Sequence, residues 1–315
     1  MESASETIRR IFGGKSNSLG SEMAEVSSRY EALNKVRFPK PKKTRYIAVA
    51  NQKGGVGKTT TTVNLSAALA LAHEQVLVID MDPQGNASTA LGVKHNTGEP
   101  SIYDILEGRK SIDDVKKTSA SFPTLDVIPS SIDLSGAELE VADLSNRNDL
   151  LKEALERFAL TSRKHYDFVI IDCPPSLGLL VINAMCAVNE VLIPIQAEYY
   201  ALEGLGQLIQ TIGLVQEHYN PTLLVSTMIV TMFDKRTLLS KEVFDQVKGH
   251  YPNIVLQTTI PRSVKISEAP SFSKTVIEYD PRGTGAVSYR EAALEIARKS
   301  PQVLKTLEER KQRSN

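Results

Sequence analysis

From Tyr46 onward the chain alternates short β-branched apolar runs with longer stretches in which apolar residues recur every three or four positions. The runs at 46–50, 75–80, 124–129, 167–172, 190–195, 222–231 and 254–260 have the length and composition of strands. Their nearly unbroken hydrophobicity predicts burial on both faces, as in a parallel sheet. Between them, 58–72, 134–141, 146–160, 177–188, 200–218, 236–249 and 285–299 read as helices. The third sets Leu150, Leu151, Ala154, Leu155 and Phe158 along one face. This rhythm predicts an α/β fold, a single doubly wound domain over residues 45–299 with a mostly parallel sheet.

The flanks differ in pattern. Residues 1–44 carry serine, glutamate and lysine without sustained periodicity and end in Phe38-Pro-Lys-Pro-Lys-Lys43, whose prolines and charges disfavour helix and strand. They are expected to be a mobile arm. Within it Glu6-Thr-Ile-Arg-Arg-Ile-Phe12 reads either as a short amphipathic basic turn or as solvated tail. Residues 300–315 open on Ser300-Pro301, suited to a first helical turn, and then become highly charged, predicting a short exposed helix that frays.

Composition narrows the possibilities. The 315 residues hold 37 basic and 37 acidic side chains, so any affinity for nucleic acid must come from a local patch, and a histone-like role is excluded. Cys173 and Cys186 have neither metal-ligand spacing nor the density of a disulfide framework. The start, Met1-Glu-Ser-Ala-Ser-Glu, lacks the apolar segment of a signal peptide, and no apolar run reaches the ~18 residues of a membrane span. The expectation is a reduced, cytoplasmic protein without stable membrane insertion.

The chemistry centres on Lys53-Gly-Gly-Val-Gly-Lys-Thr-Thr60, between the first strand and the first helix of the alternating region. Gly54, Gly55 and Gly57 let the backbone curl so that successive N–H groups, that of Val56 included, point at one anion, and the helix adds its positive end. Lys58 is placed for the β- and γ-phosphates and Thr59, followed by Thr60, for magnesium. The site therefore predicts a nucleoside triphosphate with its Mg²⁺. The ordinary pattern asks for glycine where this chain has Gln52, and Lys53 stands beside the first glycine instead.

Two further strands deliver carboxylates to the same sheet edge. Val76-Leu-Val-Ile-Asp80 runs into Met81-Asp82-Pro-Gln-Gly-Asn. Asp82 is assigned to orienting or deprotonating the attacking water, and Asp80 to the magnesium shell or the loop; a turn-capping role is the alternative for each. Asp172 ends a buried apolar strand before Cys173-Pro-Pro-Ser-Leu-Gly178, the Walker B arrangement, in which it accepts from magnesium-bound water. Asp234 and Pro261, closing the last two predicted strands, reach the same sheet edge, although turn chemistry alone accounts for both.

K-G-G-x-G-K-[ST] is the deviant Walker A loop, and it resembles the dimerising ATPase group that includes ParA, MinD and the nitrogenase iron protein. The resemblance implies that Lys53 reaches across a dimer interface to phosphates held by the partner subunit, and that the loops of Asp234 and Pro261 cradle the base. From about Arg45 to Lys299, through Asp80-Met-Asp-Pro-Gln-Gly-Asn86, Phe233-Asp-Lys-Arg-Thr-Leu-Leu239 and Tyr279-Asp-Pro-Arg-Gly-Thr-Gly-Ala286, the likeness to ParA/Soj partitioning ATPases is nearly continuous. It implies a nucleotide-dependent homodimer on the nucleoid that binds double-stranded DNA nonspecifically and is released when a ParB-type centromere-binding protein stimulates hydrolysis. Arg236 and Lys265 match positions that carry such DNA binding, with Arg262 beside them. Lys265 stands where the family often has arginine, which keeps the charge but loses the fork. Read alone, these are ordinary solvated charges. The arm does not supply the helix-turn-helix of long plasmid-type relatives, so operator-specific repression is not expected. The alternative is a MinD-like membrane-cycling regulator, which needs a C-terminal amphipathic anchor.

Overall fold

The computed structural model describes residues 18–140, 144–199 and 201–314; the basic turn at 6–12 lies outside them. Seven strands form one sheet in the order β3-β4-β2-β5-β1-β6-β7. They are β1 (Arg45–Val49), β2 (Val76–Asp80), β3 (Lys117–Thr118), β4 (Leu125–Ile128), β5 (Phe168–Asp172), β6 (Glu190–Gln196) and β7 (Leu224–Thr231). All neighbours pair in parallel except the short edge strand β3. The predicted α/β class and mostly parallel sheet are thus present.

The main helices are α1 (Ser18–Lys35), α2 (Lys58–Leu71), α3 (Leu150–Thr161), α4 (Leu179–Ala187), α5 (Ala201–His218), α6 (Leu238–His250), α7 (Thr284–Arg298) and α8 (Ser300–Ser314). Strand side chains alternate between two cores. Ala48, Leu77, Ile79, Val169 and Ile171 face α3 to α6, whereas Ile47, Val49, Val76, Val78, Phe168 and Ile170 face α2 and α7. Burial of each such side chain stabilises the fold by about 1.5–3 kcal/mol before entropy is counted.

At the N-terminal edge of the sheet Arg45 and Glu190 form a buried bidentate pair, Nε–Oε1 2.8 Å. Arg45 Nη1 also donates to the Ile296 carbonyl (2.7 Å) and to Ser300 Oγ (3.1 Å), which ties the end of α7 to the sheet.

Two expectations are corrected, and the C-terminal helix, expected and present, has a docked face. Residues 254–260 do not form a strand; only isolated bridges, Met228 with Val255 and Phe233 with Pro261, continue the sheet there. The N–H groups of Gln257 and Thr258 donate instead to the carboxylate of Glu295 on α7 (2.9–3.2 Å). Residues 18–35 of the expected mobile arm form a helix. Arg29 pairs with Glu291 (Nε–Oε1 2.8 Å), Leu33 is buried, and Phe38 after the helix is buried too. Part of this docking is polar, which is why no apolar period marks the segment. The C-terminal helix runs to Ser314 and is docked, with Val303 buried and Arg310 Nη1 donating to the Leu223 carbonyl (2.6 Å).

Candidate nucleotide-binding site

The strands β1, β2 and β5 end level with one another, Val49 and Asp80 both in register with Asp172. The loop from Asn51 to Gly57 rises from this edge. Asn51 braces it, its side-chain amide donating to the Pro194 carbonyl (2.7 Å) while Oδ1 accepts from the Lys53 N–H (3.0 Å). Gly57 closes the loop at φ 88°, a left-handed conformation costly for any residue with a Cβ, and so lets α2 start at once. Thr231 at the end of β7 donates to the Val56 carbonyl (2.8 Å), which fixes the far side of the loop. A Cβ built on Gly54 or Gly55 would meet nothing within 4 Å, so the mouth of the cradle is open.

The two lysines differ in placement. Lys58 is buried, and its Nζ donates to the Lys53 carbonyl across the loop (3.1 Å). Burial holds its ammonium below the ordinary lysine value, while Asp172 and Asp82 pull it back up. Lys53 stands on the rim with its Nζ 3.4 Å from Glu198 Oε2 and its side chain 39% exposed.

Asp172 is fully buried. Its Oδ1 accepts from Thr62 Oγ1 (3.0 Å), and its Oδ2 has no hydrogen-bond partner among the described residues. Burial drives its pKa well above the ordinary carboxylate value and the neighbouring Asp80 adds to this, while Thr59 and Thr62 pull it back. An orphaned carboxylate oxygen in the interior costs free energy unless a cation is supplied. Asp172 and Thr59 therefore fit Mg²⁺. Among the described residues no three His, Cys, Asp or Glu side chains gather into a metal cluster, so the ion would complete its shell from phosphate and water.

Asp80, paired in register with Asp172, spends its oxygens on the turn that follows. Oδ1 accepts from the Asp82 N–H (3.2 Å), and Oδ2 from the N–H and hydroxyl of Ser88 (2.8 and 2.7 Å). Of the two roles left open for it, these bonds serve the loop. Burial raises its pKa to about 6. Asp82 is 8% exposed and accepts only from the Gln84 N–H (3.0 Å), leaving an oxygen for other work.

Four of the five remaining candidates, Asp234, Arg236, Pro261 and Arg262, line a cleft of about 1290 Å³ together with Lys235. Arg236 clasps Asp234 with two bonds (2.9 and 2.7 Å), which holds that carboxyl well below its usual range and makes it a partner of the arginine. Arg262 faces Glu198 (3.7 Å), and Lys265 pairs with Glu268 (3.1 Å) over the Tyr279 ring. Lys265 does not line the cleft. Glu198, Asn51 and Thr231 were missed by sequence reading. Asn51 is flagged only by its place before the loop, and nothing in the sequence marks Glu198 or Thr231.

A parallel sheet, a phosphate loop at its C-terminal edge and a buried carboxylate opposite define a nucleoside-triphosphatase of the P-loop class. A family model described as an AAA domain matches residues 44–225. The sporulation initiation inhibitor protein Soj of Bacillus subtilis is 49% identical over 80% of this chain and 98% of its own length. The chromosome partitioning protein ParA of Caulobacter vibrioides is 46% identical over 80% and 93%. A crystal structure of cobyrinic acid a,c-diamide synthase from Mycobacterium smegmatis, with bound ATP analogue and magnesium, superposes with a TM-score of 0.69 at 36% identity, covering 81% of this chain and 95% of that one. The chain belongs to the ParA/Soj family of chromosome-partitioning ATPases.

Proposed function

We propose that this ATPase partitions DNA: its ATP-bound form is a sandwich dimer that holds duplex DNA without sequence preference, and a ParB-type partner discharges it by stimulating hydrolysis. The observation that carries this reading is the contrast between the lysines. Lys58 is enclosed and serves its own loop, whereas Lys53 sits half-exposed on the rim, its ammonium paired among the described residues with Glu198 and able to cross to a second copy. An exposed ion pair of this kind is weak enough to exchange for a phosphate.

The chain's own residues divide the work. The N–H groups of Gly54 to Thr60 and the Lys58 ammonium bind and orient the phosphates. Magnesium, held by Thr59 and Asp172, supplies neutralising charge on the phosphate oxygens. Asp82 holds or takes the proton of the attacking water, and its position in the turn anchored by Asp80 couples it to the state of that loop. Lys53 stabilises charge on the partner's nucleotide. Asp234 and Pro261 border the base, and Arg236, Arg262 and Lys265 contact DNA phosphates, doubled in number by dimerisation. In cells this places the protein on the nucleoid.

Turnover measured with duplex DNA and a ParB-type protein, separately and together, tests the scheme: strong synergy is expected, and indifference to both would overturn it. Arg236→Glu with Lys265→Glu should abolish DNA retention and spare ATP binding. For the membrane-cycling alternative, no helix among the described residues is long and apolar enough to cross a membrane. The helix that would have to lie on a surface is docked through Val303 and Arg310. Sedimentation with liposomes is therefore expected to leave the protein in the supernatant. The Soj and ParA proteins share more of this sequence than the mycobacterial synthase does, 49% and 46% against 36%, which favours partitioning over amide formation.

A further inference from the structure

The helix α1 lies before the stretch matched by the family model, which begins at residue 44. Its C-terminal half is fastened to the body. Tyr30 lies under the guanidinium groups of Arg282 and Arg290 (5.6 and 5.2 Å), Asn34 accepts from Arg290 (2.9 Å), Arg29 holds Glu291, and Leu33 is buried. The N-terminal half is held by none of these. It carries Glu22 and Glu25 and no basic residue before Arg29, and it forms one wall of the cleft lined by Lys235, Arg236 and Arg262. Arg236 and Arg262 take their counter-ions from the ATPase body, Asp234 and Glu198. Lys235 takes its counter-ion from α1: Glu22 Oε1 is 2.8 Å from its Nζ.

We infer that α1 is a tethered acidic competitor for the DNA surface: Glu22, with Glu25 one turn further on and 3.9 Å from Arg29, occupies the place that a backbone phosphate takes at Lys235, beside Arg236 and Arg262 in the same cleft. The inference rests on the DNA-binding reading above and adds a regulator to that site. A tethered segment meets its target at an effective concentration in the millimolar range, so a weak pair suffices to occupy it. The same pair is solvent-exposed, 64% on Lys235 and 46% on Glu22, which limits its strength and lets a polyanion displace it. The device therefore sets a threshold for DNA binding, a several-fold effect.

The test uses the full chain loaded with a non-hydrolysable ATP analogue. Glu22→Gln with Glu25→Gln should bind random-sequence duplex about three- to tenfold more tightly than the wild type at 0.1 M salt, with the slope of log K against log salt steeper by about one. In a second variant, Glu22→Cys with Lys235→Cys, a reducible bis-maleimide closes α1 onto the loop. Cys173 and Cys186 are buried and do not compete for the reagent. The closed form should bind duplex more weakly than the same protein after reduction. Equal affinity in both comparisons, with wild-type binding still dependent on Arg236 and Lys265, overturns the competitor and leaves the DNA reading intact. Elution from heparin separates the opposite case. If no form binds duplex but the glutamine variant leaves heparin at higher salt, the competitor stands and the DNA reading falls; if neither differs, both fall.

Discussion

Two buried carboxylates sit at opposite ends of the same sheet. Glu190, at the N-terminal edge, receives both arms of Arg45, and the spare donor of that arginine is used by Ile296 and Ser300. Asp172, at the C-terminal edge, is just as buried yet keeps one oxygen without a partner among the described residues. The first is a closed account of charge that holds helices to strands. The second leaves a deficit that a cation removes. Burial alone therefore does not mark a functional carboxylate; at Asp172 an unsatisfied buried oxygen coincides with the edge that carries the phosphate loop.

The sharpest way to break this comparison is Asp172→Asn. Turnover should fall about a thousandfold or more, some 4 kcal/mol, while thermal unfolding of the nucleotide-free protein shows no loss of stability. If the variant melts markedly lower, Asp172 is structural like Glu190. At the other end, Glu190→Ala should cost about 3–5 kcal/mol in denaturant unfolding because it strands Arg45 in the interior, and Arg45→Met with Glu190→Leu should recover most of it. For Lys53→Ala we expect partner-stimulated turnover to drop about ten- to a hundredfold, with basal ATP binding retained.

The acid–base behaviour of the two ends should also diverge. Asp80 and Asp172 bind protons more strongly folded than unfolded, so the native state holds more protons above the unfolded value of 3.8. Stability of the nucleotide-free protein should then decline as pH rises from about 4 through about 6, by on the order of 1–2 kcal/mol. Excess Mg-ATP should flatten the decline, since the cation favours the ionised carboxylate, and its affinity should grow over the same range. A pH-independent stability would show that these carboxylates are already ionised. The smallest effect is expected from the exposed pair of Lys43 with Glu308, 3.1 Å apart near the N-terminal edge. Lys43→Ala should change stability by less than ~0.5 kcal/mol, which sets the baseline against which Glu190 is read.

Much of this was legible in the residue order. Six predicted strands recur within two residues of their expected ends, because buried parallel strands are local in their signature: short, β-branched and bounded by turns. The phosphate loop and the carboxylate of Asp172 were legible for the same reason, each depending on residues adjacent in sequence. The run at 254–260 misled because its composition is that of a strand, whereas Glu295, some forty positions away, captures the N–H groups a ladder would need. The helix α1 escaped notice because its anchors, Glu291 and Arg290, lie on α7 at the far end of the chain.

Residue order by itself determined the α/β rhythm, the cradle for phosphate and the strand that carries Asp172, all set by backbone freedom and burial over a few neighbouring positions. Only the tertiary structure decided which charges are satisfied: that Glu190 is closed by Arg45, that Asp172 is left open, that Lys53 leans on Glu198, and that Glu22 reaches Lys235. Electrostatic pairing acts through space over a few ångströms and is blind to separation along the chain.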